Sequence, residues 1–314
     1  MNRYLTAILL VLLTGLLTTA AAGVTAAQPD TVRCERAPRL WPALTSAGVG
    51  LAVNAAATEV LKHSVHETRP DGSSDNSFPS RHTSWAFAVS TALSNQFYGT
   101  HPWVSLGGQL VASGIGVQRV YDSRHFGGDV AAGAIVGMAS AELGQVVSRW
   151  IFGGHSPLYC PADARFATSV AVSSELILPF GSDFRSGFGT TAHFVRPLWR
   201  SFGVRASAGV FSIAAARSDL LPLSGIDFSA GATWHQALPV RSLAFVADAD
   251  VGLALLHDGE PNLGHHSCSV KAGAGLAWHL TESFAAQAGV SYRLLTGRTP
   301  FHAIAVSVSS VWLF

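Results

Sequence analysis

The chain has 314 residues, long enough for two separate cores, and carries 20 basic against 19 acidic side chains, a net charge near +1. That balance excludes the strong positive field of a nucleic-acid binder, so no nucleic-acid partner is expected. Charged residues are only 12% of the chain and hydrophobic ones 48%, a composition short of charge for a surface wholly in water.

Residues 1–27 read as a signal peptide. Arg3 supplies a positive start, and Ala7 to Leu17 is an apolar run too short for a spanning helix. Ala20-Ala21-Ala22 and Thr25-Ala26-Ala27 offer cleavage sites, with a mature start near Gln28. Export permits disulfides, and Cys34 and Cys160 flank the next segment. A bridge between them would contribute roughly 3–5 kcal/mol in the entropic view. Cys268 is left over, and with His265 and His266 beside it lacks the further ligands a metal site needs.

Residues 34–160 read as a helical domain. Trp41 to about Val65 is rich in Ala, Val and Leu, and a Gly- and Ser-rich loop follows over Asp71 to Ser77. Ser80 is placed to cap a helix that runs to about Tyr98. Pro102 opens another that carries Leu106, Leu110 and Ile115 towards Arg119. Gly127-Gly128 reads as a break, and Asp129 as the start of a last helix to about Trp150. Asn54, Glu59, Gln109, Glu142 and Gln145 make these read as helices of a packed bundle more than as lipid-facing spans.

From about Arg165 the period changes from 3.6 to 2. Eight alternating segments fall near 166–178, 187–197, 202–214, 224–235, 242–256, 268–280, 282–295 and 302–314. Each is about as long as a strand that crosses a bilayer, which takes ~9–11 residues. One face is apolar, as in Leu243, Phe245, Ala247, Ala249, Val251 and Leu253, and the other is small or polar, as in Asp248, Asp250 and Gly252. An even count of such strands predicts a closed outer-membrane barrel over residues 165–314, anchoring the chain in a membrane. Trp234, Trp278 and Trp312 would join an interfacial girdle, and Asp227, Asp248, Asp250, Lys271 and Arg293 a charged plug inside. The expected fold is thus multidomain α and β, an all-α helical bundle followed by an eight-stranded antiparallel β-barrel.

Three blocks in the helical half carry chemistry: Lys62 with Arg69-Pro70, then Pro79-Ser80-Arg81-His82, then Arg119, His125 and Asp129. Lys62, Arg69 and Arg119 are fixed cations suited to the spread negative charge of a transferring phosphoryl group, and the arginines can each grip two oxygens. Ser80 and the N–H groups of the helix behind it can cradle another oxygen. Asp129, four residues after His125, is placed to accept a ring N–H and stabilise a charged imidazole. The cations take the role of a metal, so no metal or other cofactor is expected.

The spacing Lys62-x6-Arg69-Pro70, Pro79-Ser80-Arg81-His82 and Arg119-x5-His125-x3-Asp129 resembles the three-part signature of the type 2 phosphatidic acid phosphatase family, shared with bacterial nonspecific acid phosphatases and vanadium haloperoxidases. The resemblance covers roughly residues 40–150. It implies that His125 is a nucleophile forming a phosphohistidine and that His82 is the general acid and then the base. It also implies phosphate contacts from Lys62, Arg69, Ser80 and Arg119. The family usually has Gly where Arg81 stands, so Arg81 is either a further anion ligand or a solvent-facing charge. Arg124 has the same alternatives.

The expected function is a metal-independent phosphatase of phosphomonoesters or diphosphates. Lipid phosphates are favoured because the barrel would hold the head beside them, with the catalytic domain in the periplasm. Vanadate would inhibit such a site. It would be a cofactor only in the alternative of a vanadate-dependent haloperoxidase. A further alternative is an inactive barrel-anchored binding or structural protein.

Overall fold

The computed structural model describes residues 40–97, 101–153, 163–216, 220–240, 242–260, 264–297 and 300–314. The signal peptide and both halves of the expected Cys34–Cys160 bridge lie outside them, and Cys268 is a free, exposed thiol.

Among the described residues four helices come first: α1 (Leu40–Ser64), α2 (Arg81–Phe97), α3 (Pro102–Tyr121) and α4 (Gly127–Phe152). Eight strands follow: β1 (Ser169–Pro179), β2 (Phe184–Pro197), β3 (Phe202–Ala215), β4 (Leu223–Ala237), β5 (Leu243–Glu260), β6 (Gly264–His279), β7 (Phe284–Leu295) and β8 (Phe301–Leu313). Each strand pairs antiparallel with the next, and β1 closes on β8 with Ser169 opposite Leu313, giving a closed barrel. The expected fold is the one observed.

Inside the barrel the polar face is filled by side chains. Lys271 Nζ bonds Asp227 Oδ1 at 2.5 Å, Arg205 Nη1 bonds Asp248 Oδ2 at 2.5 Å, and Arg293 Nη2 donates to Glu175 Oε2 at 2.8 Å. The charged plug is therefore present, with Glu175, His193 and Arg205 as members that the sequence did not single out. Above it an apolar layer of Ile177, Phe211, Ile213, Leu223, Leu295 and Phe301 packs the interior towards one rim.

The helices are inverted relative to a water-soluble bundle. α1 buries Ser46, Gly50, Asn54 and Thr58, one residue per turn, and exposes Leu40, Trp41, Leu44 and Val60. Small residues bring the backbones together. A Cβ on Gly144 would meet Ser46 O at 2.2 Å, and one on Gly137 would meet Ser84 O at 2.2 Å. Ser84 and Asn54 hydrogen-bond in the space this leaves, and Thr58 Oγ1 lies 2.9 Å from Ser84 Oγ. The polar residues that read as marks of a packed bundle lie largely at its inner contacts. Asn54, Gln109 and Gln145 are buried, and Glu142 accepts a bond from Asn95 at 2.8 Å, so they face inward while the apolar side faces out.

The helices also do not stand off the barrel. α3 and α4 lie against its outer wall at β1, β2, β3 and β8. Ser113 Oγ lies 2.5 Å from Ser174 Oγ, Gln109 Nε2 donates to Val308 O at 3.1 Å, and Gly128 N donates to Ser186 Oγ at 2.8 Å. Phe87, Val120, Phe126 and Val130 share one apolar cluster with Leu176, Phe188 and Ala214 from the barrel's outer face. One core is thus built from both halves of the chain.

Candidate active site

The three blocks converge at one end of the helical unit. α1 delivers Lys62 in its last turn, α3 delivers Arg119 in its last turn, and α2 and α4 begin at Arg81 and Gly127. The connecting loop is held by Arg69 N to Ser74 O at 2.9 Å, Ser77 N to Glu67 O at 2.9 Å and Asp71 N to Ser123 O at 3.1 Å. The second block is tied to the third by Ser80 N donating to Asp129 O at 3.0 Å. His82 feels the charges of Arg119, His125, Arg81 and Arg69, and His125 those of Asp129, Lys62 and Arg119.

His125 and Asp129 are nearly inaccessible, at 2% and 1% exposure. Asp129 Oδ2 accepts from Phe126 N at 2.9 Å, which closes the first turn of α4 and fixes the carboxylate beside the ring. Its distance to His125 Nδ1 is 3.8 Å, an ion-pair separation beyond hydrogen-bond reach. Ser77 fills the corner. Its hydroxyl donates to Asp129 Oδ2 at 2.5 Å and lies 3.4 Å from His125 Nδ1. Nδ1 therefore faces Ser77 and Asp129, and Nε2 is the nitrogen on the other side of the ring. Burial holds His125 below the ordinary imidazole range, with Asp129 opposing that drift.

Lys62 Nζ donates to Asn76 O at 2.7 Å, and Arg69 Nη2 to Asn76 Oδ1 at 3.1 Å, so Asn76 aligns two of the cations. Arg69 Nε and Arg119 Nε are both buried without a hydrogen-bond partner among the described residues. Two guanidiniums with unmet buried donors suit an anion that accepts from both.

Two expected ligands are placed differently. Arg81 Nη2 pairs with Glu59 Oε1 at 2.5 Å on an exposed edge, so its guanidinium is held by α1 and not turned into the cage. Ser80 is fully buried with its hydroxyl 3.0 Å from Thr83 Oγ1, so it orders the first turn of α2 and leaves only backbone donors for an anion. Arg124 pairs with Asp71 at 2.9 Å.

The sequence reading missed Ser77, Asn76 and Glu67. The Glu67 carboxyl bonds that of Asp129, and burial together with this neighbour pushes it up to about 7. Nothing in spacing marks them, because they sit in a loop whose path is set by its own backbone bonds.

Residues 43–152 match the model of the PAP2 superfamily. A stretch of 109 residues is 39% identical to the lipid A 1-phosphatase of Porphyromonas gingivalis, covering 35% of this chain. The chain spans about a quarter of that relative's length, 24%. Among solved structures, neisserial surface protein A aligns with 47% of this chain and 97% of its own, at TM-score 0.39 and 13% identity. The Yersinia pestis attachment invasion locus protein aligns with 48% of this chain and 100% of its own, at TM-score 0.35 and 15% identity. With the signature residues gathered at one buried histidine, residues 43–152 are a PAP2 superfamily domain.

Proposed function

We propose that this chain is a phosphatase of lipid phosphates that works from the outer membrane through a phosphohistidine. The observation that carries the reading is a buried imidazole whose Nδ1 faces Ser77 and Asp129 while the charges of Lys62 and Arg119 act on the ring. Nε2 attacks phosphorus, the bond from phosphorus to the lipid oxygen breaks, and His82 gives that oxygen its proton. Water, losing a proton to His82, then cleaves the phosphorus–nitrogen bond and frees inorganic phosphate. The positive charge forming on His125 is balanced by Asp129, and the charge on the phosphoryl oxygens by the cations, so the chemistry calls for no metal.

The matched relative is named for lipid A, which makes a glycolipid phosphate the favoured substrate class. Residence in the outer membrane rests on the closed barrel, with Phe228, Val251, Leu253 and Val290 exposed on its outer face and ion pairs within. The test is phosphate release by the purified full chain, with EDTA present, from lipid A, phosphatidic acid and soluble phosphoesters. Turnover of the lipids that disappears in His125→Ala is expected. Equal turnover in that variant refutes the nucleophile.

A further inference from the structure

The phosphate cage has a definite height along the barrel. Gln109 and Ser113 of α3 touch Ser174 and Val308, near the middle of β1 and β8. Arg119 is ten residues further along α3, about 15 Å at the helical rise. Half the hydrocarbon core of a bilayer is also about 15 Å. The cage therefore lies at headgroup height when the barrel spans the membrane.

The helices share that membrane. Their outward faces are apolar and their contacts are made by small residues, the packing mode of helices in lipid. α1 and α4, of 25 and 26 residues, are each long and apolar enough to cross. Tryptophan marks a common level for both halves. Trp41, Trp103 and Trp150 lie in terminal turns of α1, α3 and α4 away from the cage. Trp199, Trp234, Trp278 and Trp312 lie at the β2–β3 turn and the ends of β4, β6 and β8. Trp103 is six residues below Gln109, about 9 Å. Trp312 is four residues beyond Val308, about 13 Å along a strand and about 10 Å along the axis at the usual tilt. One interfacial belt thus runs across helices and barrel at the rim opposite the cage.

β1 starts and β8 finishes at that rim, α1 starts and α4 finishes there, and the turns at 198–201, 238–242 and 280–283 are short. The opposite rim has connections as short as these at 180–183, 261–263 and 296–300, but it also carries the seven-residue 216–222 connection and the longest strands, β5 and β6, whose regular pairing breaks between Leu255 and Glu260. His257 of that extension meets Tyr121 Oη at 3.2 Å beside the cage. Outer-membrane barrels keep short turns on the periplasmic side and longer loops outside.

We propose that the cage lies at the outer face of the outer membrane and acts on phosphates of outer-leaflet lipids. This rests on the phosphatase reading for its chemistry but not for its topology, and it replaces the expectation of a periplasmic catalytic head.

The test is labelling of intact Gram-negative cells with a membrane-impermeant maleimide. One cysteine is added in each variant, beside the native Cys34 and Cys160, in place of exposed Ser73 in the cage loop or exposed Arg200 in a short turn. The parent carries Cys268→Ser, and its labelling sets the background. Ser73→Cys is expected to label in intact cells and Arg200→Cys only after permeabilisation, which also shows that both variants are assembled and reactive. Any other pattern in intact cells overturns the placement, whatever the purified protein hydrolyses. If the expected pattern appears but the purified chain releases phosphate from no lipid, the placement stands and the phosphatase reading falls.

Discussion

Gly127 is one point where α4 touches the barrel, and a single methyl group there tests whether the two halves act as one. A Cβ at Gly127 would lie 2.2 Å from Gly187 O, 2.4 Å from its C and 2.5 Å from its N. All three are backbone atoms of β2, locked in the ladder, so no side chain can swing aside. Restoring even a 3.0 Å contact moves the start of α4 by about 0.8 Å. His125 lies two residues before Gly127 and Asp129 two after, so the shift passes to both. Overpacking of this kind typically costs about 1–3 kcal/mol, and a misplacement near 1 Å can lower turnover by about 100-fold. Gly128 is the control, since a Cβ there meets only Ser186 Oγ at 3.5 Å, ordinary contact. The assay is kcat for lipid phosphate release by Gly127→Ala and Gly128→Ala, with the unfolding midpoint of each. Gly127→Ala is expected to lose about 10- to 100-fold in kcat while Gly128→Ala stays within about threefold. Equal activity in the two variants would refute the idea that the barrel wall sets the position of the site.

Three other outcomes are expected. Activity should fall as pH rises through about 7, because Glu67 then loses the proton it holds there and adds charge beside Asp129. Glu67→Gln should keep its rate above pH 7, and an unchanged pH profile of kcat/KM would exclude the role. On the acid side, His125 is held below 6.5 by burial, so the loss of its neutral form belongs below pH 6.5. Arg81→Gly should change kcat/KM by less than about fivefold on monophosphate and diphosphate alike, since its exposed pair with Glu59 is of a kind worth about 1 kcal/mol or less. A selective loss on diphosphate would return Arg81 to the cage. Arg293→Ala removes the ion-pair partner of buried Glu175 and leaves it only the Thr191 hydroxyl bond, which should destabilise the barrel by about 3–5 kcal/mol, read from the denaturant midpoint. No shift in the midpoint would count against the plug.

Much of the candidate site was legible because the proposed phosphoryl transfer needs particular groups, and helix ends hold them at fixed spacing. Lys62, Arg69, Arg119, His125 and Asp129 come together as the three blocks suggested. Ser77 and Glu67 were not legible, because a loop residue acquires a role only when the loop's path brings it to a partner 52 or 62 positions away. Gly127-Gly128 read as a break but begins α4. Gly127 is there because the backbone of β2 leaves no room for a side chain.

The sequence by itself determined the two architectures and the cationic histidine site, since each leaves a periodic or ordered trace: period 2 over eight segments, period 3.6 over four, and three blocks in order. Tertiary structure alone decided that the helices lie along the barrel's outer wall, which way their apolar faces turn, and at which rim the cage opens. The physical reason is that periodicity shows that a face is apolar but not what covers it. Helix backbone, strand backbone or lipid satisfies the same pattern, and only the docked contacts of Ser113, Gly116 and Gly127 against β1 and β2 separate them.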